Sequence, residues 1–288
     1  MMMGYKLKTT ALAFVAFFCA TIAIGQSTRA DRILEDFYHQ PDKILVAAHR
    51  AAHQNFAENS IAALEESIRL EVDIVELDVR MTNDSVLVIL HDRTVDRTTN
   101  GEGKLSEMTF GEARSLRLLH QDQPTEQVIP TLDEVLPIAK DKILIDIDFK
   151  ANSKEALVKT VELIKKYGME HQIIFFLYDY KLAPVLHSIC PELIIMPRAY
   201  KKKDVNNILD WDYIKIIHVD ESFYKERLMK KIVDSNVRVW INALGKYDNM
   251  EKEEQNSGYS KLFSKKYINV IQTDRPQELI DYLNVTLN

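Results

Sequence analysis

Short apolar runs alternate with segments in which apolar residues recur every three or four positions, from residue 44 to the end of the chain. The runs are typical of parallel strands covered on both faces, and the spaced pattern is typical of amphipathic helices. Eight strands, each followed by a helix, are predicted at 44–49, 74–78, 143–148, 173–178, 193–198, 214–219, 237–242 and 270–273. This order predicts an α/β fold, a TIM (β/α)8 barrel.

A ninth strand candidate, residues 86–90, has no helix before it. The turn-forming residues 83–85 separate it from the strand at 74–78, so we expect a hairpin that folds back on that strand. Residues 93–130 then form an insertion, with a helix at 110–119. An insertion of this length on one face of a barrel is more often a functional lid or specificity loop than a neutral connection.

The hairpin predicts where His91 lies. A turn centred just before Asp84 places His91 opposite Glu76, and a turn centred just after Asp84 places it opposite Asp78. Directly opposed residues share one face of a sheet. Either register therefore brings this histidine beside a pair of carboxylates.

The first residues form a signal for export rather than part of the fold. Lys6 and Lys8 precede an apolar run at 11–24, which ends in small residues, and this is the order of a cleavable secretory signal. We therefore predict a signal peptide at 1–25 and one domain at 26–288. We therefore expect the protein to be periplasmic or secreted. The alternative is an uncleaved signal that anchors it to the membrane.

Amino-acid composition limits the kinds of molecule and metal that the protein is expected to bind. The 288 residues are 46% hydrophobic and 28% charged, as expected for a globular protein. A net charge of -6 argues against nucleic acid as a partner, because binding phosphate backbones requires clustered Lys and Arg. Beyond the signal, Cys190 is the only cysteine, so neither an intramolecular disulfide nor a cysteine-based zinc site is expected.

Polar residues concentrate where the predicted strands end. In a (β/α)8 barrel the C-terminal strand ends carry the active site. The residues at these ends are His49, Arg50, Glu76, Asp78, Asp146, Asp148, Lys150, Arg198, Asn242, Asp274 and Arg275. The same rule therefore predicts a site at that end of the barrel.

Three of these carboxylates could share one metal ion. Glu76 and Asp78 lie two residues apart on one strand face, and Asp148 ends the neighbouring strand. Oxygen ligands of this kind suit Mg²⁺ or Ca²⁺. The alternative is a structural ion network with the nearby basic residues, and an E-x-D pair by itself does not exclude it.

His49 and His91 could act as general acid and base, since imidazole titrates near neutral pH. His218 also ends a strand but has no such partner, so it is interpreted as structural. Arg50, Lys150 and Arg198 add the positive charge that a phosphate group requires. Neither a glycine-rich phosphate loop nor a G-x-S-x-G motif occurs, which removes support for nucleotide binding and for a simple serine hydrolase.

These pieces together resemble the glycerophosphodiester phosphodiesterase family over roughly residues 44–284. The matching pieces are H-R at 49–50, E-N-S at 58–60, E-L-D-V at 76–79, V-I-L-H-D at 88–92, R-T-T-N-G-E-G at 97–103, V-W-I-N at 239–242 and T-D-R-P at 273–276. The resemblance implies a TIM barrel with a small insertion after the second strand. It also implies metal-dependent hydrolysis of glycerophosphodiesters to glycerol 3-phosphate and an alcohol.

The resemblance also implies roles for individual residues. His49 and His91 would be the acid–base pair, Arg50 would steady the phosphate, and Glu76 and Asp78 would hold the cation. The remaining candidates are Asp148 as a third metal ligand, Lys150, Arg198, Trp240 and Asn242 for substrate binding, and Glu58 and Asn59 in support.

Three positions depart from the family pattern. Ala51 follows His49-Arg50 where the family usually has glycine, Ala57 stands where proline precedes Glu58-Asn59, and Asp148 replaces a glutamate. Ala51 would be strained if its position requires a positive φ. An aspartate is one methylene shorter, so the ion would lie closer to that strand or take a water ligand. None of the three departures removes an acid, a base or the carboxylate pair, so an active enzyme is expected, and the departures bear on metal choice and substrate range.

Two other functions remain open. A phospholipase C- or D-like enzyme acting on intact lipids would need an exposed apolar rim, which the insertion could supply through Phe110, Leu116, Leu118 and Leu119. A non-catalytic barrel that binds phosphate or sugar is the other. For the leading function the partner is a small phosphodiester, and membrane contact is possible in the lipid case.

Overall fold

The computed structural model describes residues 27–151 and 153–286. The strands are β1 (Leu45–Ala48), β2 (Ile74–Met81), β3 (Leu87–Ile89), β4 (Arg117–His120), β5 (Gln123–Val128), β6 (Leu144–Phe149), β7 (Ile173–Leu177), β8 (Ile194–Ala199), β9 (Ile216–Val219), β10 (Arg238–Asn242) and β11 (Val270–Thr273). The helices are α1 (Arg29–His39), α2 (Ile61–Arg69), α3 (Phe110–Arg114), α4 (Leu132–Ala139), α5 (Lys154–Tyr167), α6 (Ala183–Ile189), α7 (Lys202–Ile208), α8 (Glu226–Asp234), α9 (Lys246–Glu253), α10 (Ser257–Leu262) and α11 (Pro276–Thr286).

Within these residues, β1, β2 and β6 to β11 form a closed parallel barrel of eight strands. The order around it is β1, β11, β10, β9, β8, β7, β6 and β2, and pairing of β1 with β2 closes the ring. Each barrel strand leads to a helix before the next one begins. The predicted TIM barrel is therefore confirmed.

The sequence prediction for the N-terminus concerns residues before Ser27. The signal peptide proposed for 1–25 lies outside the described residues. None of the helices in 27–151 and 153–286 has the length and apolar character needed to cross a membrane.

Polar caps and proline explain where several helices begin. Ser60 Oγ accepts a hydrogen bond from the Ala63 N–H at 3.1 Å, so Ser60 caps α2. Thr131 and Glu134 form a reciprocal capping box at the start of α4. Pro276 begins α11, as its fixed φ favours.

Alternate strand residues face opposite layers, which divides the core in two. On β2, Ile74 lies in the apolar core inside the barrel, whereas Leu77 lies in the core between the barrel and its helices. Glu76 is two positions from Ile74 and shares its inward face. The barrel interior is therefore apolar where the strands begin and acidic where they end.

Helix α1 closes the N-terminal end of the barrel. Its Ala30, Ile33 and Phe37 are buried against the interior core. The buried guanidinium of Arg238, at the start of β10, fixes this helix through hydrogen bonds to main-chain carbonyls, and burial lowers its pKa to about 10. The accepting oxygens belong to Asp36, Phe37, Gln40, Lys43 and Asn269.

The hairpin after β2 exists, but its register differs from both predictions. β3 pairs antiparallel with the end of β2, placing Arg80 opposite Val88. The loop has three residues, 83–85, and closes with Ser85 in the left-handed region at φ 63°. Both predicted registers assumed an even number of loop residues, so both are wrong by one position. His91 therefore follows the ladder and is not directly opposite either carboxylate.

The insertion, residues 93–130, folds around a small core that it shares with Ala57, Val88 and Leu90. Leu105, Ala113, Leu118 and Ile129 are buried there. The helix expected at its centre is shorter than predicted, since α3 ends after five residues and the β4–β5 hairpin follows.

The apolar rim expected from the insertion does not form at its central residues. Leu118 is buried, and Phe110 and Leu116 pack partly buried against the same core. Leu119 is half-buried. The insertion therefore uses these side chains for its own stability rather than presenting them to solvent.

Replacing Arg238 with Met should lower the free energy of unfolding by about 3 kcal/mol, because five carbonyl acceptors would lose a buried charged donor. Urea unfolding measures the change. Arg69→Met, at an exposed ion pair on α2, is the control and should leave stability nearly unchanged. A loss below about 1 kcal/mol for Arg238→Met would contradict the role assigned to Arg238 in fixing α1.

Candidate active site

The loop after β1 turns over the barrel end through two left-handed residues. Arg50 has φ 50° and Ala51 has φ 65°, a region that costs a residue with a Cβ about 1 kcal/mol. The strain expected at Ala51 is therefore confirmed. The turn directs the Arg50 N–H to Glu76 Oε2 at 2.8 Å and the Ala51 N–H to the Glu76 carbonyl at 3.2 Å.

Four carboxylates of the described chain share the C-terminal end of the barrel interior, and we call them the acidic cluster. In the parallel pairing of β2 and β6, Glu76 lies opposite Asp146 and Asp78 opposite Asp148. The two-residue period of a strand puts all four on one face. Oxygens of Glu76, Asp78 and Asp148 lie within 4.8 Å of one another.

The acidic cluster fits a hard divalent cation. Among the described residues, the buried Oδ1 atoms of Asp78, Asp146 and Asp148 have no hydrogen-bond partner. Burial, followed by repulsion from the other carboxylates, raises the pKa of Glu76 and Asp146 well above the ordinary range. Several carboxylate oxygens facing one point form the ligand type that Mg²⁺ and Ca²⁺ prefer.

Two basic side chains offset part of this negative charge. Lys150 Nζ donates to Asp148 Oδ2 at 2.6 Å and to the Tyr178 hydroxyl at 2.8 Å, and it lies 3.2 Å from Asp78 Oδ1 without hydrogen-bond geometry. Arg50 Nε lies 3.7 Å from Asp78 Oδ2. The ion network considered as an alternative to a metal site is thus present, but within the described residues these two cations face four carboxylates.

Both predicted catalytic histidines are held by a carboxylate. His49 Nδ1 lies 2.7 Å from Asp274 Oδ1, and His91 Nδ1 lies 2.6 Å from Asp92 Oδ1. Burial opposes ionisation of Asp92, but the hydrogen bonds it accepts lower its pKa to about 2. An ionised carboxylate can only accept, so each ring donates through Nδ1 and keeps Nε2 for proton transfer.

Both rings line one cavity of about 160 Å³ together with Glu76, Asp146 and Asp148. His49 Nε2 is 4.0 Å from Glu76 Oε2. His91 and Glu76 therefore line the same cavity, although the expected strand register is wrong.

The opposite wall of the cavity is formed by later strands. Arg198 donates to Asp220 Oδ2 at 3.0 Å. Asn242 Oδ1 accepts from Trp240 Nε1 and lies 3.0 Å from His218 Nε2. Burial, more than any other cause, lowers the pKa of His218 to about 4, so this ring is neutral near pH 7. His218, interpreted from the sequence as structural, therefore contacts Asn242 and lines the cavity.

Glu58 and Asn59 support the site from the loop after β1. Asn59, at φ 58°, donates from Nδ2 to Asp78 Oδ2 at 2.8 Å. Glu58 Oε1 accepts from Arg50 at 3.0 Å and from Arg97 at 2.8 Å. These contacts place both residues behind the cavity wall.

The structure brings most of the candidates together and adds others. The candidates that line the cavity are His49, His91, Glu76, Asp148, Lys150, Arg198, Trp240 and Asn242. Arg50, Asp78, Glu58 and Asn59 lie just outside the lining and contact it or one another. The residues without an assigned role that join the site include Asp92, Asp146, Tyr178 and Asp274. Their position at or next to a strand end was the available signal.

Comparison with known proteins agrees with this architecture. Residues 49–181 match the model of the glycerophosphoryl diester phosphodiesterase family. A glycerophosphodiester phosphodiesterase of Caldanaerobacter subterraneus subsp. tengcongensis is 36% identical over 162 residues, covering 53% of this chain and 65% of that protein. Human glycerophosphodiester phosphodiesterase 1 is 37% identical over 135 residues, covering 45% and 39%. The chain thus spans less than two thirds of the length of these relatives.

Solved structures share the fold. A glycerophosphoryl diester phosphodiesterase from Parabacteroides distasonis has a TM-score of 0.79 at 24% identity, covering 90% of this chain and 93% of that one. An Oleispira antarctica phosphodiesterase, solved with the product sn-glycerol-3-phosphate, has a TM-score of 0.70 at 20% identity, covering 85% and 98%. At these identities the likeness concerns the fold alone. The match over residues 49–181 confirms the resemblance to the glycerophosphodiester phosphodiesterase family seen in the sequence motifs.

Proposed function

We propose that this protein is a metal-dependent phosphodiesterase that hydrolyses glycerophosphodiesters to glycerol 3-phosphate and an alcohol. The observation that carries the proposal is the placement of His49 and His91, each held by a carboxylate, in one cavity with the acidic cluster. The names of the relatives and the product bound in the O. antarctica structure support the same substrate class.

Different residues would bind different parts of a phosphodiester. Glu76, Asp78 and Asp148 would hold Mg²⁺ or Ca²⁺, which when bound polarises phosphate oxygens and stabilises the charge that develops on them. Arg50 and Lys150 add positive charge beside the same position. Arg198, Trp240 and Asn242 form the wall that would contact the rest of the substrate.

The imidazoles of His49 and His91 would carry out proton transfer. One Nε2 accepts the proton of the attacking hydroxyl while the other donates a proton to the leaving oxygen. The attacking group is either water or a neighbouring hydroxyl of the substrate. Water yields a phosphomonoester directly, whereas a substrate hydroxyl first yields a cyclic phosphodiester.

Replacing either His49 or His91 with Ala should lower kcat on glycerophosphocholine by about 10²- to 10⁴-fold, because each step would lose its positioned acid or base. Phosphorus NMR measures turnover and identifies the first product. His39→Ala, at an exposed position of α1, is the control and should retain full turnover. Undiminished kcat in both active-site variants would contradict the assignment.

Chelation should abolish turnover, and Mg²⁺ or Ca²⁺ should restore it, because the acidic cluster would lose the charge that offsets its repulsion. Asp78→Asn removes one buried ligand charge and should weaken cation binding about 10-fold or more by calorimetry. Asp212→Asn, on the protein surface, serves as the control. Full activity after exhaustive chelation would exclude a metal-dependent reaction.

We also propose that the protein is exported to the periplasm or beyond the cell. The support is the order of Lys6, Lys8, the apolar run at 11–24 and the small residues that follow. Mass spectrometry of the exported protein should give a mature chain beginning at Gln26. An intact N-terminus in the membrane fraction would favour the uncleaved anchor, and one in the cytosol would contradict export.

A further inference from the structure

Arg97, in the first loop of the insertion, joins two parts of the active site. Its Nη1 and Nη2 donate to the two carboxylate oxygens of Glu58, both at 2.8 Å. Its Nε donates to Asp92 Oδ2 at 2.6 Å. Glu58 belongs to the loop after β1 and Asp92 to the segment after β3, so one guanidinium bridges both. We call these three residues the Arg97 clamp.

Each carboxylate of the Arg97 clamp also accepts a hydrogen bond from a residue of the proposed reaction centre. The other oxygen of Asp92 accepts from His91 Nδ1 at 2.6 Å. Glu58 Oε1 also accepts from Arg50 Nη1 at 3.0 Å. A continuous set of charged hydrogen bonds therefore runs from the imidazole, through Arg97, to the arginine beside the acidic cluster.

The geometry requires a guanidinium in particular. Arg97 makes a forked pair with one carboxylate and a third bond with another, which uses the planar donors that lysine lacks. The shared guanidinium contacts both carboxylates and offsets the repulsion between their like charges. The hydrogen bond with Glu58, more than any other cause, raises the pKa of Arg97.

Because the Arg97 side chain is exposed, its role in positioning can be distinguished from a role in stability. The Arg97 side chain is 49% exposed, and ion pairs at such positions contribute little to the free energy of unfolding. Loss of the clamp would instead leave Asp92 and Glu58 free to move apart. Asp92 would then no longer fix the His91 ring, and Glu58 could take both oxygens to Arg50 and draw it from the phosphate.

We propose that Arg97 is a positioning residue, which orients His91 through Asp92 and keeps Arg50 available to the phosphate through Glu58. The proposal gives the insertion a defined part in the site and rests on the proposed phosphodiesterase function. It concerns orientation only, so no proton passes through Arg97.

The kinetic test compares two arginines of the insertion. Arg97→Ala should lower kcat about 10- to 100-fold, since small displacements of a catalytic group have effects of this size. Arg114→Ala is the matched control, because Arg114 also makes a forked pair with a glutamate, Glu134, but contacts neither His91 nor Arg50. The control should keep wild-type kcat, and the thermal midpoints of both variants should fall by only a few degrees.

Chemical rescue tests the geometry. Methylguanidinium, at concentrations far below those that unfold proteins, should restore part of the lost kcat in Arg97→Ala, whereas methylammonium should not. Arg97→Lys should fall between wild type and the alanine variant, because it keeps the charge but not the fork. Equal rescue by both cations would overturn the need for a fork.

A spectroscopic readout is independent of turnover. In the wild-type protein, ring ¹⁵N shifts of His91 at a pH where the ring is neutral should show the proton on Nδ1, and His91→Gln identifies the signal. Arg97→Ala should give a mixture of the two tautomers, as should Asp92→Asn. Arg114→Ala should leave the signal unchanged.

The outcomes distinguish the two proposals. If wild-type protein shows no phosphodiesterase turnover, the proposed function fails, while the ¹⁵N shifts still report on the clamp. If Arg97→Ala keeps wild-type kcat and an unchanged His91 tautomer, the clamp proposal is overturned and the phosphodiesterase function stands. A kcat loss matched by Arg114→Ala would likewise overturn it, since stability alone would explain the effect.

Discussion

Mutual repulsion among the buried carboxylates is the constraint on which the active end of the barrel depends. Two like charges 4 Å apart repel by about 4 kcal/mol at an effective dielectric of about 20, which is a large part of the 5–15 kcal/mol that stabilises a typical domain. The surrounding loops offset this repulsion with the Lys150 ammonium, the Arg50 backbone N–H and the Asn59 amide. The left-handed turn at Ala51 is one cost of bringing these donors close.

The sequence predicted the barrel well because parallel strands buried on both faces have a strong apolar signal. It predicted much of the site because the barrel gathers strand ends at one edge. The strain at Ala51 could also be anticipated, since a position that favours glycine usually has a positive φ.

Other features depended on details that a linear pattern does not carry. The hairpin register changed with one loop residue, because three residues rather than two separate the paired strands near Ser85. The pairing of His49 with Asp274 joins residues 225 positions apart, and that of Arg97 with Glu58 joins residues 39 apart. Such pairs follow from how the barrel closes, so they are visible only once the strands are placed.

The hydrogen bonds from Arg238 to the end of α1 constrain the order in which the chain can fold. Arg238 binds a carbonyl 201 residues earlier, and β1 receives its second neighbour only from β11, near the end of the chain. Contacts of this sequence separation form slowly and late. During synthesis, the first strand and first helix therefore remain without their final partners until almost all of the chain has emerged.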